Sequence, residues 1–378
     1  MIPENKNNIA IIGGGLAGLA LSIQLAKKGL SVILFEKEKY PFHRVCGEYI
    51  SMESWDFLCG LGLDLPALDL PRIMKLNVSA PNGNSLSHTL NPGGFGISRY
   101  KLDALLADIA VNSGVQIIHT TVTNIEFHKD EFTISTRNGL YTSNLCFGTF
   151  GKRSNIDIKL KRTFVEQPHK PINNYIGIKY HIKTDFPGDL IELHNFKDGY
   201  CGISKIEDDR YCLCYMTTAQ NLRSNGNNIK QMEETVLMQN PHLERIFKQA
   251  TFLYEEPLAI SQISFSPKNA VENHIIMLGD AAGLIPPLCG NGMSMAFHAS
   301  KIATELTFLY VDKQISRSQL EGTYISRWNK AFKIRITAGR LIQGLFGKST
   351  LTNFTISILK RTPSIVNKLV GLTHGENF

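Results

Sequence analysis

Residues 9–36 begin Ile-Ala-Ile-Ile-Gly-Gly-Gly-Leu-Ala-Gly-Leu-Ala and end on Phe35-Glu36, a stretch that few folds accommodate. Ile9 to Ile12 is an apolar run short enough for a buried strand. Leu16 to Lys28 carries a helical pattern closed by Gly29, and Val32 to Phe35 is a second apolar run that ends on an acid. Gly13, Gly15 and Gly18 stand between strand and helix in Gly-x-Gly-x-x-Gly spacing. Gly13 permits a tight turn, Gly15 lets the backbone approach a pyrophosphate, and Gly18 lets helix and strand pack closely. The phosphates then face the positive end of the helix. Glu36, eighteen residues past Gly18, is placed to accept a hydrogen bond from a ribose 2′-hydroxyl. Strand, turn, helix, strand and acid in this order predict a dinucleotide-binding unit.

A second motif lies far downstream. Residues 275–296 carry an apolar strand, Ile275 to Leu278, then Gly279-Asp280, a Pro/Gly-rich loop, and a helix from about Gly292. This pattern resembles the Gly-Asp motif of FAD enzymes with the p-hydroxybenzoate hydroxylase fold. The resemblance implies that Asp280 binds the ribityl chain and that Gly290, Asn291, Gly292 and Met293 face the N1–C2=O edge of the flavin. A helix N-terminus there would stabilise the negative charge that a reduced flavin carries at N1. Two shorter segments extend the likeness. Ser98-Arg99-Tyr100-Lys101-Leu102-Asp103 opens a helical stretch, Leu102 to Val111, and resembles an Arg-x-x-Leu motif whose Arg approaches FAD. Gly148-Thr149-Phe150-Gly151 follows a strand, Leu145 to Phe147, where the family carries Gly-Ala-Asp-Gly; Phe150 stands in place of the Asp. Ala17, Lys37 and Val122 complete the FAD contacts that the resemblance implies, with Gly148 and Gly279.

Pro41-Phe42-His43-Arg44-Val45-Cys46-Gly47-Glu48 narrows the branch. A Cys-Gly-Glu tripeptide after the acidic strand resembles the geranylgeranyl-reductase-related branch, which also holds flavoprotein hydroxylases and is close to the flavin halogenases. There the loop passes beside the isoalloxazine. Arg44 would meet the FAD phosphates, and Cys46, Gly47 and Glu48 would lie close to the ring or its ribityl chain. Cys46, Pro287 and Gly290 are the residues expected at the reacting edge. The reductases' Tyr-x-Trp-x-Phe-Pro signature is missing, and the corresponding place reads Gly199-Tyr200-Cys201-Gly202-Ile203-Ser204-Lys205. The halogenase Trp-x-Trp-x-Ile-Pro is also missing, since the tryptophans are Trp55 and Trp328. Hydroxylation is favoured by this elimination. NAD(P)H, bound transiently, would reduce FAD, and O₂ would hydroxylate an apolar aromatic substrate of phenolic-lipid or polyketide type. The alternative is reduction of prenyl-chain double bonds.

Charge and cysteine usage limit other readings. The chain has 378 residues and a net charge of +7. Its cations are spread rather than interleaved with aromatics, so no nucleic-acid partner is expected. Seven cysteines, an odd and scattered set, suit a reducing compartment. Cys212-x-Cys214 lacks a second pair, so no metal site is expected. No apolar run is long enough to span a bilayer, and Met1 to Asn8 is polar, which points to a cytoplasmic protein. Between Arg340 and Val370, Leu341, Phe346, Phe354 and Ile358 mix with Lys348, Lys360 and Arg361. Such helices either roof a substrate pocket or touch a membrane surface.

The expected fold is α/β. A Rossmann-type FAD-binding domain comes from residues 1–78, 98–160 and 270–315. An inserted antiparallel β-sheet substrate domain comes from 79–97 and 161–269, and helices close residues 316–378. Ile176, Ile178, Tyr180 and Ile182 alternate as a strand, Leu190–His194 and Tyr211–Thr217 read as further strands, and Asp208-Asp209 marks a hairpin turn. His181 and His194 on this sheet are candidate bases for a phenolic substrate.

Overall fold

The structure, a computed structural model, describes residues 9–166, 174–345, 347–373, 375, 377 and 378. The expectations for Met1 to Asn8 and for Phe346 fall outside them. The first sheet contains β1 (Ile9–Ile12), β2 (Val32–Glu36), a strand Gln116–His119, a strand Leu145–Gly148, and a hairpin Val271–Glu272/Ile275–Met277. β1 lies at its centre, parallel to both β2 and Leu145–Gly148, and Ile275–Met277 runs parallel to the latter. The central strands are buried on both faces, which is why they read as unbroken apolar runs rather than alternating ones. Helix α1 (Leu16–Lys27) packs between helices Arg99–Asn112 and Gly292–Val311 over this sheet. Helix Arg99–Asn112 begins before Leu102 because the Ser98 hydroxyl accepts from the Lys101 amide at 3.1 Å.

The second sheet is larger and mostly antiparallel. It runs through strands Tyr175–Lys183, Tyr211–Thr218, Gly199–Lys205, Leu190–Phe196, Arg72–Ser79, Ser85–Gly96 and Tyr49–Ser51. The expected limit of the first domain at residue 78 is therefore not where the chain changes sheet. Tyr49–Ser51 and Arg72–Ser79 already find their partners in Ser85–Gly96 and Leu190–Phe196. The hairpin at 206–210 turns on Asp208 and Asp209, both in left-handed conformation (φ 57° and 54°), which short acidic side chains tolerate.

Strand Tyr175–Lys183 is buried on both faces. Ile176, Ile178, Tyr180 and Ile182 meet Met232, Leu237, Leu243 and Ile246, a separate small core. The opposite face, with Lys179 and His181, meets the loop that follows β2. A third sheet is a meander, Val122–His128, Glu131–Thr136 and Gly139–Ser143. Helices Arg317–Leu345, Ser349–Leu359 and Pro363–Thr373 close the chain, and among the described residues no helix is long and apolar enough to cross a membrane.

Candidate functional site

The glycine turn sits at the carboxyl end of β1. Gly13 has φ +112°, and a Cβ there would stand 2.6 Å from the Thr149 carbonyl oxygen. At Gly18 a Cβ would run into the Gly13 carbonyl and the Thr149 hydroxyl. Gly15 has nothing within 4 Å, so its side of the turn is open. The N-terminus of α1 has no side-chain cap, which leaves its first amides free for an anion. Thr149 closes the turn from below, its hydroxyl donating to Gly13 O at 2.6 Å. The sequence draws attention to Phe150 beside it and gives no sign of this role for Thr149.

Glu36 ends β2 and is 6% exposed. It accepts from the Gly14 amide at 2.9 Å, from Arg44 Nη2 at 3.0 Å and from the Glu38 amide at 3.1 Å. Arg44 reaches on to Asp103 at 3.0 Å, and Asp103 in turn holds Arg99 at 2.6 and 2.8 Å. Arg44 and Arg99, both expected to approach FAD, thus share one buried carboxylate. Asp103 is a site residue that sequence reasoning misses, although Arg99 and Asp103 are four apart on a helix, a spacing that places them on one face. The Tyr40 hydroxyl donates to Gly14 O at 2.6 Å; burial, reinforced by the Glu36 charge, pushes its phenol well above the usual range. Lys37 is exposed and pairs with Glu38 at 3.6 Å. Val122 opens the meander and is buried in the main core.

The Cys-Gly-Glu loop crosses from this cluster to the second sheet. Glu48 has φ +57° and is fully buried. Its carboxylate accepts from the Arg99 amide at 2.8 Å, from His181 Nε2 at 2.6 Å and from the Lys179 ammonium. Lys179 also donates to Arg44 O at 3.1 Å. Burial pushes the Glu48 carboxyl up, but the Lys179 charge and the His181 hydrogen bond outweigh it and hold it down at about 2. Lys179 is shifted up, since its pairing with Glu48 outweighs its own desolvation. The side chain of Glu48 is turned into the second sheet, while the Cys46 Sγ lies 3.7 Å from Met293 Sδ. Glu48, His181 and Cys212 are close enough together to ligate a metal ion, but the Lys179 ammonium already supplies the positive charge there. His194 is engaged elsewhere, with Glu192 at 3.0 Å and Ser79 at 2.8 Å.

The Gly-Asp loop completes the site. Gly279 and Gly290 both adopt left-handed conformations (φ +57° and +66°). The Asp280 carboxylate makes no hydrogen bond to a described residue, while its backbone carbonyl accepts from Lys268 at 2.8 Å. Burial, only partly countered by Asp157 and Asp280, pulls the Lys268 ammonium down to about 8. Arg162 pins the loop from beneath. It is fully buried and binds Asp157 at 2.9 Å, Glu272 at 3.0 Å and the Ala281 carbonyl at 3.0 Å. Nothing in its sequence neighbourhood signals this role. Pro287 is exposed in a short turn, and Gly290 lies against the Tyr49 ring, where a Cβ would stand 3.1 Å from the ring edge. Asn291 and Gly292 start the Gly292–Val311 helix without a side-chain cap, and Met293 is buried behind them. Gly148 ends its strand against Met277. Beyond the loop, Tyr200, Met216, Ile263, Leu284 and Leu288 form an apolar layer, with Ile342 of the long C-terminal helix packed on it.

Two uncapped helix N-termini, a turn that only glycine fits and a free carboxylate between them suit FAD, a ligand with two phosphates, two sugar-like chains and an anionic ring edge. Comparisons with known proteins agree. A family model described as an NAD(P)-binding Rossmann-like domain matches residues 11–48, and one described as squalene epoxidase matches residues 202–373. Conditioned medium factor receptor 1 of Dictyostelium discoideum is 26% identical over 371 residues, covering 88% of this chain and 70% of its own length. Digeranylgeranylglycerophospholipid reductase 2 of Methanothermobacter thermautotrophicus is 23% identical, covering 88% of this chain and 84% of its own. The flavin-dependent brominase Bmp2 has the same fold, with TM-score 0.79 at 20% identity over 97% of this chain and 92% of that one. A geranylgeranyl bacteriochlorophyll reductase-like protein of Thermoplasma acidophilum gives TM-score 0.70 at 15% identity over 97% and 99%. The chain thus has the fold of, and is similar to, FAD-dependent oxidoreductases, among them geranylgeranyl reductase-like proteins and flavin-dependent halogenases.

Proposed function

We propose that the chain is a monooxygenase that uses O₂ to hydroxylate an apolar, lipid-like substrate. The observation that carries this reading is the apolar layer of Tyr200, Met216, Leu284 and Leu288 under Ile342, beside the Gly-Asp loop. The buried ionisable groups around it are engaged: Glu48 with Lys179, Arg99 with Asp103, Arg162 with Asp157, and Lys268 with the Asp280 carbonyl. The site therefore offers shape and dryness rather than acid–base groups, and the oxygen-activating chemistry is FAD's when it is bound.

The chain's own residues divide the remaining work. The amides of the Gly13–Gly18 turn hold the pyrophosphate, Glu36 a ribose hydroxyl, and Asp280 the ribityl chain. The amides of Gly292 and Met293, at the start of their helix, face the ring edge and stabilise negative charge there. An electron-rich aromatic ring is the readiest acceptor in oxygen transfer, which favours a phenolic lipid. Names among the relatives, squalene epoxidase and digeranylgeranylglycerophospholipid reductase, support a long apolar substrate and add isoprenoid chains to those worth testing. The test is NAD(P)H-dependent O₂ uptake by FAD-loaded protein. Uptake stimulated by an alkylresorcinol-type phenol, with stoichiometric hydroxylated product, supports the reading, and uptake that ignores every apolar candidate counts against it.

A second reading, reduction of a prenyl-chain double bond, rests on Cys46. Its thiol is half-buried beside Met293 at the flavin-edge loop, placed to give a proton to an alkene carbon. Anaerobic reoxidation of the reduced protein by a polyprenyl chain, lost in Cys46→Ser, would favour it over the first.

A further inference from the structure

Each of the three C-terminal helices buries apolar residues against the protein and leaves others exposed. On Ser349–Leu359, Thr352 and Ile356 are buried against the protein, while Leu351, Phe354 and Ile358 project at spacings of three and four. That spacing makes a single outward stripe. Phe354 is 65% exposed. On Arg317–Leu345, Ile334 and Leu341, two turns apart, are 67% and 69% exposed. On Pro363–Thr373, Val366 is buried and Ile365 faces out. The three helices pack on one another.

Charge says what covers this surface. From residue 330 to the C-terminus the chain has eight Lys and Arg and one Glu. Lys330, Lys333, Lys360, Arg361 and Lys368 are exposed around the apolar stripes. A second copy of the chain would bring this cationic end against itself, a like-charge contact that one Glu against eight cations does not offset. We propose that this face docks on the surface of a bilayer containing anionic lipids. Ile334, Leu341, Phe354 and Ile358 enter the headgroup boundary, and the cations meet lipid phosphates while their stems cover apolar surface. The inference stands on the outer faces of these helices and is independent of the chemistry assigned to the site beneath them.

The test is co-sedimentation of the FAD-loaded full chain with phosphatidylcholine vesicles, with and without phosphatidylglycerol. Binding to the anionic vesicles, weakened by salt and absent from pure phosphatidylcholine, is expected. Phe354→Asp should weaken it about tenfold or more while flavin content and melting temperature stay largely unchanged, because the side chain is 65% exposed. Lys360→Glu with Arg361→Glu should weaken it comparably at low salt. In Phe354→Trp, indole emission should shift to the blue and be quenched by brominated lipid. Equal binding by wild type and Phe354→Asp, no vesicle binding at all, or a stable dimer in solution that excludes vesicles would each overturn the proposal.

Discussion

The Gly13–Gly18 turn and the Glu48 cluster lie on either side of one loop and are built on opposite terms. In the turn, side chains are absent wherever backbone must approach backbone, and the amides of α1 are left uncapped. In the cluster, a carboxylate, an ammonium and an imidazole are sealed together, and a main-chain amide is drawn in as well. The turn is a receptacle whose first helical amides await a partner from outside the chain. The cluster is a joint whose polar groups satisfy each other and fix the second sheet against the first. The loop Arg44–Glu48 connects them, so cofactor contacts and inter-sheet geometry are mechanically linked.

The largest expected effect separates two glycines of the turn. Gly13→Val should abolish flavin retention and destabilise the fold, since the left-handed φ and the Thr149 carbonyl both oppose a side chain. Gly15→Val, at a position with open space, should fold normally yet still lose FAD. Flavin absorbance per protein and thermal melts distinguish the two, and equal stability loss in both would break the distinction between packing glycine and ligand-facing glycine.

Next comes the joint. Lys179→Met leaves the Glu48 charge buried beside an apolar side chain and should cost about 3–5 kcal/mol in denaturant unfolding. Glu48→Gln in the same chain should restore much of that loss. If the double variant is no more stable than the single, the pair is not the source of the effect.

Acid should act on the joint. Glu48 is held below its ordinary value of 4.5, at about 2. Its contribution is therefore complete above pH 4.5 and is lost as pH falls from there toward 2, worth about 3 kcal/mol. Melting temperature against pH should lose this acid limb in Glu48→Gln.

These two regions also mark what can be read in the sequence. The turn is legible because glycine spacing, apolar strands and the terminal acid are all local. The Gly-Asp loop is legible for the same reason. The joint is not: Lys179 and His181 alternate with Ile178 and Tyr180 as solvent-facing strand residues would, and nothing local says that a loop more than a hundred residues earlier covers them. Arg162 is a similar case, a cation with no motif around it that proves to hold Asp157, Glu272 and Ala281 together. Thr149 is hidden by its neighbour, because Phe150 is the more evident departure from the family pattern. Long-range polar contacts carry no period, whereas buried strands and glycine turns do.

Smaller effects sharpen the ligand side of the comparison. Asp280→Ala should keep the fold, because the carboxylate makes no hydrogen bond to a described residue, and weaken FAD binding by about 1–3 kcal/mol in a titration of apoprotein. Unchanged affinity would remove Asp280 from the ribityl assignment. Cys46→Ser should be milder still. The loss of one small packing contact with Met293 costs about 1 kcal/mol, so hydroxylation should stay within about tenfold of wild type.

The most direct measurement is isotopic. FAD-loaded protein is given NAD(P)H, an alkylresorcinol-type phenol and ¹⁸O₂ in unlabelled water, and the product is weighed by mass spectrometry. A monooxygenase yields a product heavier by one ¹⁸O atom, and none forms without O₂. A product that carries no label, or a prenyl substrate that gains two hydrogens only when O₂ is excluded, would contradict the oxygen-transfer account.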